Sequence, residues 1–351
     1  MRLHRRKWQL AALDADAADG TVLVTGAGGH LGANLVRQLV GVGQSVRALL
    51  HSESERPHVA GLDLQVLIGD LRDPLTVAAA VQGCRQVYHC AARVSTMPRR
   101  EAELFACNVI ATRLLLEAAR TAGVAKVVVT SSFSAVGHRT DGAPSDETEP
   151  FNPLEPHLPY EQTKAAAEYE CLKAYAEGLD VVIATSTAIL GPNDFKPSRM
   201  GRVLLSYARG RLPAYIAGGF EFVAASDIAS GHRLAMARGR GGQKYIFSSG
   251  FRTMDQIMAA FDRLTSPRRR PRRLSPATMR GVAEISSRIG ALVAPNAEPL
   301  LTPAALRLLR LGRRADTSKA REELGFVPTS VESAIEESWR DFVDRGVAVG
   351  R

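Results

Sequence analysis

The chain of 351 residues is 45% hydrophobic and 23% charged, which suits a globular protein of one large or two moderate cores and excludes a disordered one. Its net charge of +9 gathers in Arg2, Arg5, Arg6 and Lys7 and in the basic run 268–273, with no aromatic residues interleaved. That pattern argues against a nucleic-acid partner and leaves anionic substrates or membrane surfaces compatible. The four cysteines, at 84, 90, 107 and 171, form no CxxC pair, so no metal site and no disulfide framework is expected, and a reducing compartment fits.

Residues 1–20 begin basic, but their apolar stretch is short and is followed by Asp14, Asp16 and Asp19. This is a poor secretion signal, no run of eighteen apolar residues follows, and the expectation is a cytoplasmic protein with an N-terminal extension and no membrane span. From residue 21, short apolar runs at 21–25, 44–50, 64–69, 86–91, 126–131 and 180–186 alternate with segments of helix length. Strands apolar nearly throughout are what a parallel sheet covered on both faces requires. The sequence therefore predicts an α/β fold, a doubly wound parallel sheet over residues 21–186. Beyond 187 the rhythm breaks at Gly191, Pro192 and Pro197, and helical segments follow. Residues 187–221 and 250–345 are expected to form a smaller, mainly helical C-terminal substrate domain, with 222–249 returning to the sheet domain.

Gly26, Gly28, Gly29 and Gly32 fall between the first strand and a helix carrying Leu31, Leu35 and Leu39. Gly26 suits a tight turn, Gly29 lets the backbone approach a pyrophosphate, and Gly32 lets the helix lie close on the strand. A dinucleotide diphosphate would sit on the free amides at the helix start, around His30 and Leu31. Ligands of such sheets lie at the carboxyl ends of the strands, which adds Asp70, Leu71, Ala91 and Ala92 to the candidate cofactor-binding residues. Asp70 can accept from the adenine amine, or cap the next helix instead. The second strand ends at His51, with Glu53 slightly late for a ribose contact, so NADP(H) is favoured over NAD(H).

Tyr160 and Lys164 stand four residues apart after Pro159, on one helical face. A phenol is a poor acid or base near neutrality, and an ammonium about 4 Å away offers roughly 4 kcal/mol of attraction to the phenolate at an effective dielectric near 20. Tyr169 and Lys173 repeat the spacing, but nine residues at about 100° each is half a turn past two full turns, so the two tyrosines face opposite ways. Tyr160 follows the loop from the fifth strand and is the better candidate. Ser131, Ser132 and Ser134 close that strand, and any of them could hold a substrate carbonyl oxygen against the phenol or merely satisfy backbone groups.

Residues 25–32, 69–74, Asn108 with Thr112, 130–137, Tyr160 with Lys164, Gly191-Pro192, and 227–229 with Gly231-His232 fall in the order of the extended short-chain dehydrogenase/reductases. The resemblance covers about residues 20–345. Segments 190–215 and 320–328 look most like the dihydroflavonol-reductase group and its relatives called hopanoid-associated sugar epimerases, within the NAD-dependent epimerase/dehydratases. The resemblance implies Ser132, Tyr160 and Lys164 as a catalytic triad, Lys164 also touching cofactor, Asn108 supporting the proton relay, and a homodimer through helices after the fourth and fifth strands. Two departures bear on substrate. Nucleotide-sugar enzymes commonly carry Arg-Pro where Ser186-Thr187 stands, and often an arginine where this chain has Glu221.

The leading expectation is an NAD(P)(H)-dependent oxidoreductase that reduces a ketone or aldehyde of a mostly apolar small molecule, or oxidises the alcohol. A nucleotide-sugar epimerase or dehydratase with tightly bound NAD is the alternative, and a non-catalytic dinucleotide-binding protein the third.

Overall fold

The computed structural model describes residues 20–95, 100–139, 141–152, 158–265, 267, 269–275, 278 and 303–348. The extension expected at the N-terminus thus lies almost wholly outside the described residues. Strand β1 (Thr21–Thr25) alternates its side chains between two cores: Val22 and Val24 pack with Leu31, Leu35 and Leu39, whereas Leu23 packs on the opposite face with Val87, Val127 and Leu115. Both faces are apolar because both are covered, as the sequence predicts.

The strands β2 (Val46–Leu50), β3 (Gln65–Ile68), β4 (Cys84–His89), β5 (Lys126–Ser132) and β6 (Val181–Ser186) extend this sheet on either side of β1. With β10 (Lys244–Phe247), they give seven parallel strands in the order β10-β6-β5-β4-β1-β2-β3. The chain reverses its direction of travel at β1, so the carboxyl ends of β1 and β4 flank a crevice. Helix α1 (His30–Gly41) covers one face of the sheet, and α2 (Pro74–Val81), α4 (Ala111–Thr121) and α5 (Pro159–Ala176) cover the other. The helix leading into α4, α3 (Glu101–Phe105), joins it through a π-turn at Ala106–Ile110.

A second core gathers Leu204, Leu205, Phe222, Ile257, Phe261 and Phe342. Its helices α6 (Arg199–Ala208), α8 (Met254–Leu264), α9 (Pro303–Leu311) and α11 (Val331–Asp344) make the C-terminal region mainly helical. It also carries two small sheets: β7 (Ala188–Leu190), β9 (Gly219–Ala224) and β11 (Gly250–Thr253) form one, and β8 (Ala214–Ile216) with β12 (Arg272–Leu274) the other. Residues 222–249, expected to return to the sheet domain, divide between the two cores. β9 stays in the three-stranded sheet, with Phe222 in the second core and Val223 in the first. The crossing is made by α7 (Ala225–Arg238), which packs against α1, and by β10.

In the described part of the basic run, Arg270 pairs with Asp262 and Arg273 with Asp255, both exposed. No described helix is long and apolar enough to cross a membrane, and among the described residues no group of His, Cys, Asp or Glu could hold a metal ion.

Candidate functional site

At the crevice, Gly26 turns with φ +64°, and a Cβ on it would lie 2.7 Å from the Ala91 Cα. A Cβ on Gly32 would lie 2.1 Å from the Gly26 carbonyl oxygen, so the helix start sits directly on the turn. The amides of His30, Leu31 and Gly32 open the first turn of α1, where no upstream helical carbonyl reaches them. The Leu31 side chain is in the core; His30 instead reaches the Gly191 carbonyl through Nε2, at 3.2 Å.

The crevice is a cavity of about 330 Å³ lined by Gly26, Gly29, His51, Asp70, Leu71, Ala91 and Ala92, and also by Glu55, Arg72, Arg93, Cys107 and Lys196. Seven sequence-predicted cofactor residues thus line one cavity. Gly28 stands behind it, its carbonyl taken by His58 Nδ1 at 2.8 Å and its Cα side facing Glu55. A glycine turn that no Cβ could enter, free helix-start amides and an open groove at the strand ends fit a dinucleotide.

Asp70 does not cap the following helix; Asp73 does, accepting from the amides of Leu75 and Thr76 at 3.2 and 3.1 Å. Asp70 is gripped by the Arg72 guanidinium, whose hydrogen bonds hold the carboxyl at about 2.

Sequence reasoning missed Glu55. Glu53 points outward and pairs with Arg56 at 2.5 Å, while the 3-10 turn Glu53–Val59 carries Glu55 back into the groove. There its carboxylate accepts from the His51 amide at 3.0 Å and from Lys196 at 2.6 Å. Burial pushes this carboxyl upward, but the hydrogen bonds from Lys196 and His51 outweigh it and leave it below the ordinary range. The exposed Glu53–Arg56 spacing was the available signal, since it leaves Glu55 on the inner side of the turn. Lys196 comes from the chain after β7, and the preceding Phe195 stacks on His58 at 4.6 Å, so the C-terminal region closes one end of the groove.

Beyond Arg93 the groove wall connects to α5 through Asn108. Its Oδ1 accepts from the Arg93 amide at 2.8 Å, and its Nδ2 donates to the Arg93 carbonyl at 2.9 Å and to Thr163 Oγ1 at 3.1 Å. Asn108 is 2% exposed and sits in the π-turn, a local widening of the helix common at functional sites. Its carbonyl accepts from Thr112 Oγ1 at 2.7 Å. Buried His89 bridges Thr112 and Thr25 through its two ring nitrogens, and burial lowers its pKa to about 3, so it is neutral.

Ser132 stands at the end of β5, and Tyr160 and Lys164 stand in the first turns of α5, outside the described cavity lining. Burial raises the pKa of the Tyr160 phenol, and the Ser132 side chain draws it partly back. The ammonium of Lys164 is 5% exposed and donates to the Thr130 carbonyl at 2.5 Å, and burial lowers its pKa. Tyr169 is 66% exposed, on the far side of the helix from its rival.

The serines separate as well. Ser131 is buried and donates to Glu168 at 2.5 Å, where Lys244 also binds. Ser134 contributes its amide to the Ser132 hydroxyl oxygen at 3.2 Å. Replacing Ser131 with Ala is expected to remove one hydrogen bond to a buried charge, lowering stability by about 1.5–3 kcal/mol with turnover largely kept. Ser132→Ala is expected to do the reverse, with kcat down roughly 10²-fold and the melting temperature little changed. Denaturant melts and steady-state rates on the two variants check the pair.

Residues 22–248 match the model of the NAD dependent epimerase/dehydratase family. Sterol demethylase protein B of Methylococcus capsulatus is 41% identical over 327 residues, 93% of this chain and 99% of that one. A putative dihydroflavonol 4-reductase of Synechocystis is 32% identical, over 92% of this chain and 94% of its own. Among solved structures, that of gox2253 superposes with a TM-score of 0.81 at 31% identity, covering 93% of this chain and 99% of that one.

Proposed function

Because the chain belongs to the NAD-dependent epimerase/dehydratase family and has the fold of the extended short-chain dehydrogenase/reductases, we propose that it is a reductase of a small, mostly apolar ketone or aldehyde, running in reverse as an alcohol dehydrogenase. The observation that carries the reading is the placement of the half-buried Tyr160 phenol at the start of α5 with Ser132 at the end of β5, in surroundings that raise the phenol's pKa and keep it protonated. Carbonyl reduction consumes a proton at oxygen, and a phenol held in its neutral form is the donor that step needs. Bound nicotinamide supplies the hydride. Ser132 donates to the carbonyl oxygen and fixes it beside Tyr160, which gives up its proton as charge develops there. Lys164, fixed by the Thr130 carbonyl, places a cation under the site, and Asn108 holds the start of α5 against the groove wall.

An apolar substrate is supported by the absence of cations at two positions. Ser186 and Thr187 spend their hydroxyls on the carbonyls of Thr187 and Phe247, at 2.9 and 3.2 Å. Glu221, 7% exposed, accepts from Ser248 Oγ and the Ala315 amide, and offers a nucleotide diphosphate nothing. The names of the Methylococcus and Synechocystis relatives, a sterol enzyme and a flavonoid reductase, point the same way. A homodimer packed through α4 and α5 belongs to the same reading. The test is spectrophotometric, following consumption of reduced nucleotide over ketones, aldehydes and nucleotide sugars. Oxidation with ketones is the expected result, whereas interconversion of a nucleotide sugar without net redox, on nucleotide retained through purification, would replace the reading with an epimerase.

For the cofactor we propose NAD(H), revising the preference for NADP(H) drawn from the sequence. Glu55 puts a carboxylate in the groove beside Gly28 and His51, where ribose hydroxyls can donate to it and an added phosphate would be repelled. NADH is expected to bind more tightly than NADPH, and Glu55→Gln to narrow the ratio about tenfold, the worth of one hydrogen bond to a charged group. Competing titrations of the two nucleotides measure it. Tighter NADPH binding by the unaltered protein would restore the earlier preference, with Lys196 as the phosphate's partner.

A further inference from the structure

We propose that Arg313 is a positioning residue for the Ser132 hydroxyl, through which the C-terminal segment sets the geometry of the reaction; this rests on the reading of Ser132 given above. Immediately after Ser132, the chain makes a 3-10 turn, Phe133–Ala135, and the Ser132 hydroxyl oxygen caps it by accepting the Ser134 amide. One lone pair is thereby committed to the backbone of the turn, so the direction of the hydroxyl toward Tyr160 depends on where that turn sits.

Phe133 and Val136 pack on Ile246 of β10 on the inner side of the turn, and its outer carbonyls converge on a single cation. Arg313 Nη2 donates to the carbonyls of Phe133 and Gly137, at 3.2 and 3.0 Å, and to that of Val136. The guanidinium lies over the Phe133 ring, 4.9 Å from its centroid. Three carbonyl dipoles aimed at one point repel one another without a positive charge between them, and a planar guanidinium can hydrogen-bond them while stacking on the ring. The other side of the loop is fixed by backbone, since the Gly137 amide donates to the Glu149 carbonyl at 3.1 Å and a Cβ on Gly137 would lie 2.2 Å from the Pro150 oxygen.

The three residues after Arg313 are anchored from both parts of the molecule. The Ser145 amide donates to the Arg314 carbonyl at 2.8 Å, the Asp316 amide to the Ser145 carbonyl at 2.9 Å, and the Ala315 amide to buried Glu221 at 3.1 Å. The segment after α9 therefore straps the C-terminal region onto the serine turn. Glu221, which the family comparison made conspicuous as a lost cation, is the peg on which that strap hangs.

The experiment compares the unaltered protein with Arg313→Ala and Arg313→Lys, recording kcat, KM, nucleotide affinity and the effect of millimolar guanidinium. A displacement of about 1 Å at a reacting group can cost on the order of 10²-fold, so kcat of Arg313→Ala should fall about that far. Nucleotide affinity should stay within about twofold, Arg313→Lys should fall between, and guanidinium, but not sodium chloride at equal ionic strength, should restore Arg313→Ala. Unchanged kcat overturns the proposal. So does a joint loss of kcat, nucleotide affinity and melting temperature that guanidinium does not mend, because that is a structural role alone. Should the unaltered protein reduce no carbonyl compound, the functional reading fails, and amide exchange decides the strap separately. Faster exchange at 134–137 in Arg313→Ala, reversed by guanidinium, upholds it; unaltered exchange overturns it.

Discussion

Tyr160→Phe is expected to lower kcat by roughly 10²–10⁴-fold while nucleotide affinity is unchanged, the range that a positioned proton donor contributes. The substitution removes one oxygen and keeps the ring, so the packing of α5 on β5 should survive. What disappears is the phenolic proton and the interaction of the phenol with Ser132. The pH dependence carries the same information with a definite sign. Burial raises the phenol above its ordinary value, so its neutral form persists through the neutral range, and reductive turnover should decline only where the phenol ionises, above about 10. Alcohol oxidation needs the phenolate and should rise with pH over that same limb. Both limbs should vanish in Tyr160→Phe. A variant that keeps full turnover would remove Tyr160 from the chemistry and assign the proton to another group.

The sheet was legible because parallel strands covered on both faces leave continuous apolar runs, and the glycine turn because backbone approach leaves no room for side chains. Neither depends on distant partners. What could not be read depends on where chain segments far apart in sequence meet. Glu55 looks like one of several loop carboxylates until the 3-10 turn places it beside Lys196, 141 residues away. Ser131 and Ser132 are indistinguishable as letters, and they separate only because strand alternation sends one to Glu168 and the other to Tyr160. The helical spacing of Tyr160 and Lys164 places them on one face of α5, but the acceptor of the ammonium, the Thr130 carbonyl, belongs to β5 and has no signature in the local pattern. The apolar residues of 222–224 suit any buried strand; which sheet takes β9 is decided by its pairing with β7 and β11.

Gly32→Ala is expected to destabilise the protein by at least about 1–3 kcal/mol, the cost of forcing a methyl into a filled space, and to weaken nucleotide binding with it. The added Cβ would lie 2.1 Å from the Gly26 oxygen and 2.8 Å from the Ala27 Cα. Both are backbone atoms of the turn, so no side chain can swing aside, and relief requires α1 to lift from β1. Lifting it moves the very amides that would hold the diphosphate, which couples the two losses. Gly29→Ala provides the contrast, because its Cβ would meet the same oxygen at 3.2 Å, a distance that a few tenths of an ångström can relieve. There the fold should hold while binding weakens, since the methyl intrudes on the ligand rather than on the chain. Gly41→Ala, with nothing within 4 Å of the new atom, should be neutral or stabilising by up to about 1 kcal/mol. Denaturant melts and nucleotide titrations on the three variants read the order directly. If Gly32→Ala melted like the unaltered protein, the close seating of helix on turn, and the amide cradle it creates, would be wrong.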